Sequence, residues 1–205
     1  PLAFQIPILP ESRSGILLRC GLFLYDTLAT RNHYSASRAV RYRADSPLEA
    51  SIRKGFEYWD AQVDDSRLVV ANALQASQRG AFVLTRHEVT DASAHPEGWS
   101  VGVEDHLSTI RKTLNCKVLV NAAGPWVSQL DGKIAGSEKA HPLRLVKGSH
   151  LVFPKLSAQN KAFLLQHEDG RVVFVIPYLD DYSLVGTTEE EYSGDLDAPQ
   201  ISEAE

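Results

Sequence analysis

The stretch Lys117-Val118-Leu119-Val120-Asn121-Ala122-Ala123-Gly124-Pro125-Trp126 constrains the fold more than any other part of the chain. Val118 to Val120 show no polar alternation, which predicts a central strand buried on both faces. Ala122, Ala123 and Gly124 then remove side-chain bulk, and Pro125 suits the first turn of a helix predicted over Trp126 to Leu130. A strand end, a small-residue turn and a helix N-terminus together offer backbone N–H groups to an anionic or polar ligand. Small residues also permit close strand–helix packing, so this pattern alone leaves both readings open.

A chain of 205 residues can bury a core around that stretch without disulfides or metals. Its formal charge of -5 and the lack of any Lys/Arg-rich run argue against a polyanion-binding surface and hence against nucleic acid as a partner. Cys20 and Cys116 have neither a close partner nor zinc-type spacing, which fits free thiols in a reducing, cytoplasmic setting. No apolar run approaches the roughly 20 residues of a membrane span, so any membrane contact is expected to be peripheral. The chain starts at Pro1, contains no Met and closes on Ile201-Ser202-Glu203-Ala204-Glu205, which reads as a helix opening; a piece of a longer protein is expected.

In chain order, Leu2 to Leu9 is interrupted by Pro7 and Pro10 and is predicted to be at best a short edge strand before a polar turn at Glu11 to Gly15. Ile16 to Leu28 is read as a helix, and Ser46-Pro47 with Glu49 to Lys54 as a short helix closed by Gly55. Gly55 to Val63 has strand propensity and leads to Asp64-Asp65, an N-cap for a helix with Leu68, Ala71 and Leu74 at helical spacing and Gly80 as its stop. Short strands are predicted at Ala81 to Thr85 and around Val89. A hairpin follows over Asp91 to Glu104, turning at His95 to Gly98, with a polar tip from Asp105 to Thr113. After a loop over Asp131 to Lys139, strands at Leu143 to Phe153, Ala162 to Gln166, Val172 to Ile176 and Ser183 to Thr187 form an antiparallel meander, able to pair with residues before Val63. The fold class is therefore α/β plus antiparallel β.

Reactive chemistry is best sought in Arg144-Leu145-Val146-Lys147-Gly148-Ser149-His150-Leu151-Val152-Phe153. A glycine inside a strand marks a bulge that re-aims its neighbours, so Gly148 governs where Lys147 and His150 point. His150 can serve as a general base or hydrogen-bond a substrate hydroxyl, or it can be a core histidine satisfied by backbone. Arg171 stands at the mouth of the apolar strand Val172 to Ile176, where it binds an anion or reaches solvent. Tyr178 is a pocket wall or a core aromatic. Gly186-Thr187-Thr188 combines backbone access with two hydroxyls, and Glu189 to Glu191 reads as a solvated charge run. His33, His87, His95, His106, His141 and His167 lack metal-ligand spacing. Neither a Gly-x-Ser-x-Gly elbow nor a phosphate-binding Gly-rich loop occurs.

Taken together, Gly55-Phe56-Glu57-Tyr58 through Val63-Asp64-Asp65-Ser66-Arg67-Leu68, Val120-Asn121-Ala122-Ala123-Gly124-Pro125-Trp126-Val127, Arg144 to His150, Phe174-Val175-Ile176-Pro177 and Gly186-Thr187-Thr188-Glu189 resemble the FAD-dependent, quinone-linked glycerol-3-phosphate dehydrogenases. The first two blocks are shared with the wider D-amino-acid-oxidase-like flavoproteins; the Lys147 to His150 and Gly186 to Thr188 blocks are more specific. The resemblance implies oxidation of sn-glycerol 3-phosphate to dihydroxyacetone phosphate, with hydride passing to FAD and electrons to a membrane quinone, and it allows a homodimer. It further implies that 64–135 is part of a Rossmann-like FAD-binding domain, with 1–63 the first part of a mostly antiparallel substrate-binding cap domain and 136–205 the return to it. Val89, Ala122, Ala123, Gly124 and Trp126 would then meet FAD. His150 would be the catalytic base, and Lys147, Thr188 and Arg171 would meet the substrate. The family's Gly-x-Gly-x-x-Gly fingerprint and its later phosphate-gripping Arg and Lys residues are absent from these 205 residues, so the chain by itself is expected to be inactive. A related flavin oxidase and a noncatalytic scaffold module are the alternatives.

Overall fold

The computed structural model describes residues 1–9, 14–28, 34–43, 46–135, 143–167, 169–203 and 205, in two compact units. One comprises 1–63, 147–190 and 201–205; the other comprises 64–146 and 191–200. His33, His141, Glu168, most of the turn expected at Glu11 to Gly15 and the end of the loop expected after Asp131 lie outside the described residues.

The first unit begins with β1 (Leu2–Pro7), α1 (Gly15–Leu28), β2 (Arg38–Arg41) and β3 (Lys54–Asp60). In the second unit follow α2 (Asp65–Gln78), β4 (His87–His95), β5 (Gly98–Asp105), β6 (Arg111–Cys116), a single 3-10 turn at Gly124–Trp126 continuous with α3 (Val127–Asp131), and β7 (Ile134–Ala135). The remaining strands are β8 (Val146–Lys147), β9 (His150–Pro154), β10 (Lys161–Gln166), β11 (Val172–Tyr178), β12 (Tyr182–Gly186) and β13 (Glu190–Glu191), of which β8 and β13 pair with each other.

A seven-stranded sheet in the order β2-β3-β1-β10-β11-β12-β9 builds the first unit. The meander β10-β11-β12-β9 is antiparallel throughout, and β1 joins it by pairing parallel to β10. Every residue of β1 is buried, which corrects the edge-strand expectation. Pro7 falls at the last position of the strand, where its missing N–H costs no ladder bond, and Ile8 N donates to Lys54 O immediately beyond it. On one face Phe4 stacks on Tyr58 at 5.3 Å between ring centroids and meets Phe174 edge-on at 6.3 Å. Leu22 of α1 packs on the same side against Ile6 and Phe56. The short helix expected over Glu49 to Lys54 is not formed. Only one turn closes there, Ile52 N to Glu49 O, because Arg53 and Lys54 are drawn into backbone bonds with Tyr42 and Ile8.

In the second unit the hairpin β4–β5 turns at Pro96-Glu97 as expected. The supposed polar tip is shorter than expected: β6 starts at Arg111 and adds a third strand, giving the order β6-β5-β4-β7. Ala92, Val101 and Val103 are its core. The helix α2 matches expectation at both ends, with Asp64 accepting from Arg67 N at 2.9 Å and Gly80 at φ 91.

Two expected strands are not strands. Ala81 to Leu84 carry no ladder, with Phe82 93% exposed, and Val118 to Val120 are likewise unpaired, with Val118 73% and Val120 76% exposed. Leu119 alone of that run packs against the hairpin core. An apolar run becomes a strand only when a neighbour takes up its N–H and C=O groups, and among the described residues none does. Leu68, Val69 and Leu74 of α2 are exposed in the same way.

Candidate active site

Gly148 divides the long strand expected over Leu143 to Phe153 into β8 and β9. A Cβ at Gly148 would lie 2.9 Å from Thr188 O and closer still to the Thr187 hydroxyl, so only glycine lets these two segments meet. Beside it Ser149 is locked onto Thr188 in both directions: Ser149 N donates to Thr188 Oγ1 at 2.8 Å and Thr188 N to Ser149 O at 3.2 Å. His150, the next residue, opens β9 directly across from Gly186 of β12. A Cβ on Gly186 would stand 2.6 Å from His150 Cδ2, so the imidazole rests over the bare backbone of that glycine. The ring is exposed, and among the described residues its nitrogens have no hydrogen-bond partner. The core-histidine alternative therefore does not describe it.

Glu205 organises this corner, and the sequence carries no local sign of it. Its Oε1 accepts from Ser149 Oγ at 2.8 Å and Thr188 Oγ1 at 2.7 Å; its Oε2 accepts from Ser202 N at 2.8 Å and pairs with Lys147 Nζ at 2.6 Å. The side chain is 4% exposed. Lys147 first, then the Ser202 amide and the two hydroxyls, hold its carboxyl well below the usual carboxylate range, and Glu205 in turn raises Lys147. Lys147 also reaches Glu190 at 3.2 Å. The expected solvated run Glu189 to Glu191 is thus partly engaged, with Glu191 pairing to Arg144 at 3.3 Å. Lys147, Thr188 and His150 are brought together on this corner. Arg171 is held elsewhere, by its own turn: Arg171 Nε donates to Asp169 Oδ2 at 2.7 Å, and the Arg171 amide and side chain with His167 bring Asp169 down to about 2. Tyr178 is exposed at the end of β11.

The remaining candidates are in the second unit. Asn121 shapes the small-residue turn: its Oδ1 accepts from Ala123 N at 3.2 Å, and its Nδ2 donates to Val127 O at 3.0 Å and Asp131 Oδ1 at 2.7 Å. An Asn ahead of Ala-Ala-Gly is a turn signal that the strand reading overlooked. Gly124 has φ 54 with nothing within 4 Å of where a Cβ would stand, which leaves the backbone at Ala122 to Gly124 open to a ligand. Trp126 is fixed by donation from Nε1 to Asp197 Oδ1 at 3.1 Å. Val89 lies on β4 just before an irregularity in the ladder to β5 and borders the hairpin core. These residues fit a flavin nucleotide: a turn without bulk, and a half-exposed indole. No cluster of three metal-ligating side chains occurs among the described residues.

The family description "FAD dependent oxidoreductase" (DAO) matches residues 22–205. The chain belongs to this family. The glycerol-3-phosphate dehydrogenase of Pseudomonas aeruginosa is 43% identical over the whole chain and 40% of its own length. The D-erythritol 1-phosphate dehydrogenase of Brucella abortus is 40% identical over 95% of the chain and 39% of its own length. Among solved structures, the glycerol-3-phosphate dehydrogenase from Bacillus halodurans complexed with FAD superposes with a TM-score of 0.69 at 25% identity, over 98% of the chain and 36% of that protein. The chain thus spans about two fifths of the curated relatives it matches. Its mixed sheets belong to the FAD-dependent oxidoreductase fold, and FAD is the family's cofactor.

Proposed function

We propose that this chain is the central part of a flavoenzyme that oxidises sn-glycerol 3-phosphate to dihydroxyacetone phosphate and passes the electrons to a membrane quinone. The observation that carries the reading is the Lys147–Glu205 corner, which presents an unpartnered His150 over Gly186. Bound FAD supplies the hydride acceptor. His150 takes the proton from the C2 hydroxyl as that carbon loses its hydride, the task of a general base. Thr188 and Lys147 serve through the corner: both are bound to Glu205, so their first role is to keep the backbone of Ser149 and His150 in place. Arg171 is a reserve contact for the substrate anion, available on release from Asp169. Ala122, Ala123, Gly124, Trp126 and Val89 hold FAD. In this reading 64–135 belongs to the FAD-binding domain and 1–63 with 136–205 to the cap. No helix among the described residues is long and apolar enough to cross a membrane; the reading places the full-length protein, as a homodimer, in the cytoplasm and peripherally on the membrane.

D-Erythritol 1-phosphate is the second substrate reading, favoured by the Brucella relative. Purified full-length protein, mixed anaerobically with each phosphate in turn, decides between them. Bleaching of the flavin band by sn-glycerol 3-phosphate with one equivalent of dihydroxyacetone phosphate formed is expected; bleaching by neither compound would overturn the proposal.

A further inference from the structure

The seven-stranded sheet carries a second polar site on the face opposite His150. Residues directly across a ladder share a face, and successive residues along a strand alternate. His150 lies across from Gly186, and Gly186 across from Phe174. Val175, one residue further, lies across from Phe163, which continues through Gln5 and Glu57 to Arg38. The Arg38–Glu57–Gln5 row therefore stands on the far side of the sheet from His150.

Glu57 is 1% exposed, and both its oxygens are filled. Arg38 donates twice to Oε1, at 2.6 and 2.9 Å, while Gln5 at 2.9 Å and Lys161 at 2.8 Å take Oε2. Two cations thus share one carboxylate, and the cluster retains a positive charge. A cavity of about 320 Å³ opens over it, and Arg41 and Arg43 also line its wall. Neither of these two arginines has a carboxylate partner among the described residues. Between them in sequence, Tyr42 brings a hydroxyl that is buried and has no hydrogen-bond partner. Burial first, and the Glu57 charge second, raise its pKa, so it keeps its proton and remains a donor. Four cations face one carboxylate here, in a chain whose formal charge is -5. An excess of one sign of charge around a concave, polar wall raises the local concentration of anions, and guanidinium forks match the oxygens of phosphates.

We propose that this cavity binds a small phosphate-bearing anion at a site separate from the His150 corner. The proposal does not depend on what His150 does. Calorimetric titration of the full-length protein tests it, with inorganic phosphate and glycerol 2-phosphate as probes at constant ionic strength. The second probe is a phosphomonoester without a C2 hydroxyl to oxidise. Saturable binding is expected in the wild type and in His150→Ala, and it should weaken about tenfold or more in the double variant Arg41→Gln/Arg43→Gln, whose exposed side chains leave the sheet intact. Binding of both probes identifies free phosphate as sufficient, and binding of the ester alone identifies an organic phosphate. The absence of saturable binding by either probe, or binding that survives in the double variant and disappears in His150→Ala, would overturn the proposal.

Discussion

Replacing Glu57 by Gln removes the one charge that holds β2, β1 and β10 to β3 by their side chains. Burial alone would push the Glu57 carboxyl up; the hydrogen bonds from Lys161, Gln5 and Arg38, with the Lys161 charge, outweigh it and bring the group from 4.5 down to about 2. A carboxyl held that low contributes about 3 kcal/mol at neutral pH, and the partial exposure of Arg38 and Lys161, whose charges can turn to water, brings the loss in the variant to about 2–3 kcal/mol. The sign follows from a depressed folded-state pKa: the contribution is complete above the unfolded value near 4.5 and is lost as pH falls through about 2. Amide hydrogen exchange of peptides covering β1 and β3 reads this locally in the full-length protein. Exchange in Glu57→Gln should be about 30- to 100-fold faster at pH 7, only about tenfold faster at pH 3, and within about twofold of wild type near pH 2. An unchanged protection at pH 7, or a ratio that does not shrink with acid, would refute the reasoning.

Other consequences are equally direct. Glu205→Gln weakens the Lys147 pair and leaves an amide among donors, so kcat of the full-length enzyme should fall about 10- to 100-fold with flavin content unchanged; adding Lys147→Gln to it should cost little more, because both act through one corner. Gly186→Ala places a methyl against the His150 ring and should abolish turnover, while Gly21→Ala, with nothing within 4 Å in α1, should leave turnover intact and stabilise the helix by about 1 kcal/mol; steady-state rates and thermal unfolding check the pair. Asp64→Ala removes the α2 cap and should cost about 1 kcal/mol, seen as faster exchange in the first turn of that helix alone.

Local features were legible in the residues. The hairpin β4–β5 and the meander announce themselves by alternation between turn residues, and α2 by Asp64 and Gly80, because each signal and its cause lie within a few positions. The interior place of β1 was not legible: it depends on a parallel pairing with β10, more distant in sequence than any local pattern reports. Ala81 to Thr85 and Val118 to Val120 failed for the complementary reason, since composition records the apolar content of a strand but not the neighbour that must complete its ladder. The site shows the same division. Gly148, His150 and Thr188 stood out by residue type and by resemblance, whereas Glu205 could be recognised only once the fold brought its carboxylate to Lys147 and Ser149.

The account rests most heavily on His150, and the reductive half-reaction measures it without interference from quinone chemistry. Full-length wild type and His150→Ala, loaded with equal flavin, are mixed anaerobically with sn-glycerol 3-phosphate in a stopped-flow instrument, and the limiting rate of flavin bleaching is recorded across pH. The account predicts a limiting rate about 10²- to 10⁴-fold lower in the variant, with a pH profile that differs from wild type. An unchanged limiting rate with the same pH profile would remove His150 from the catalytic step.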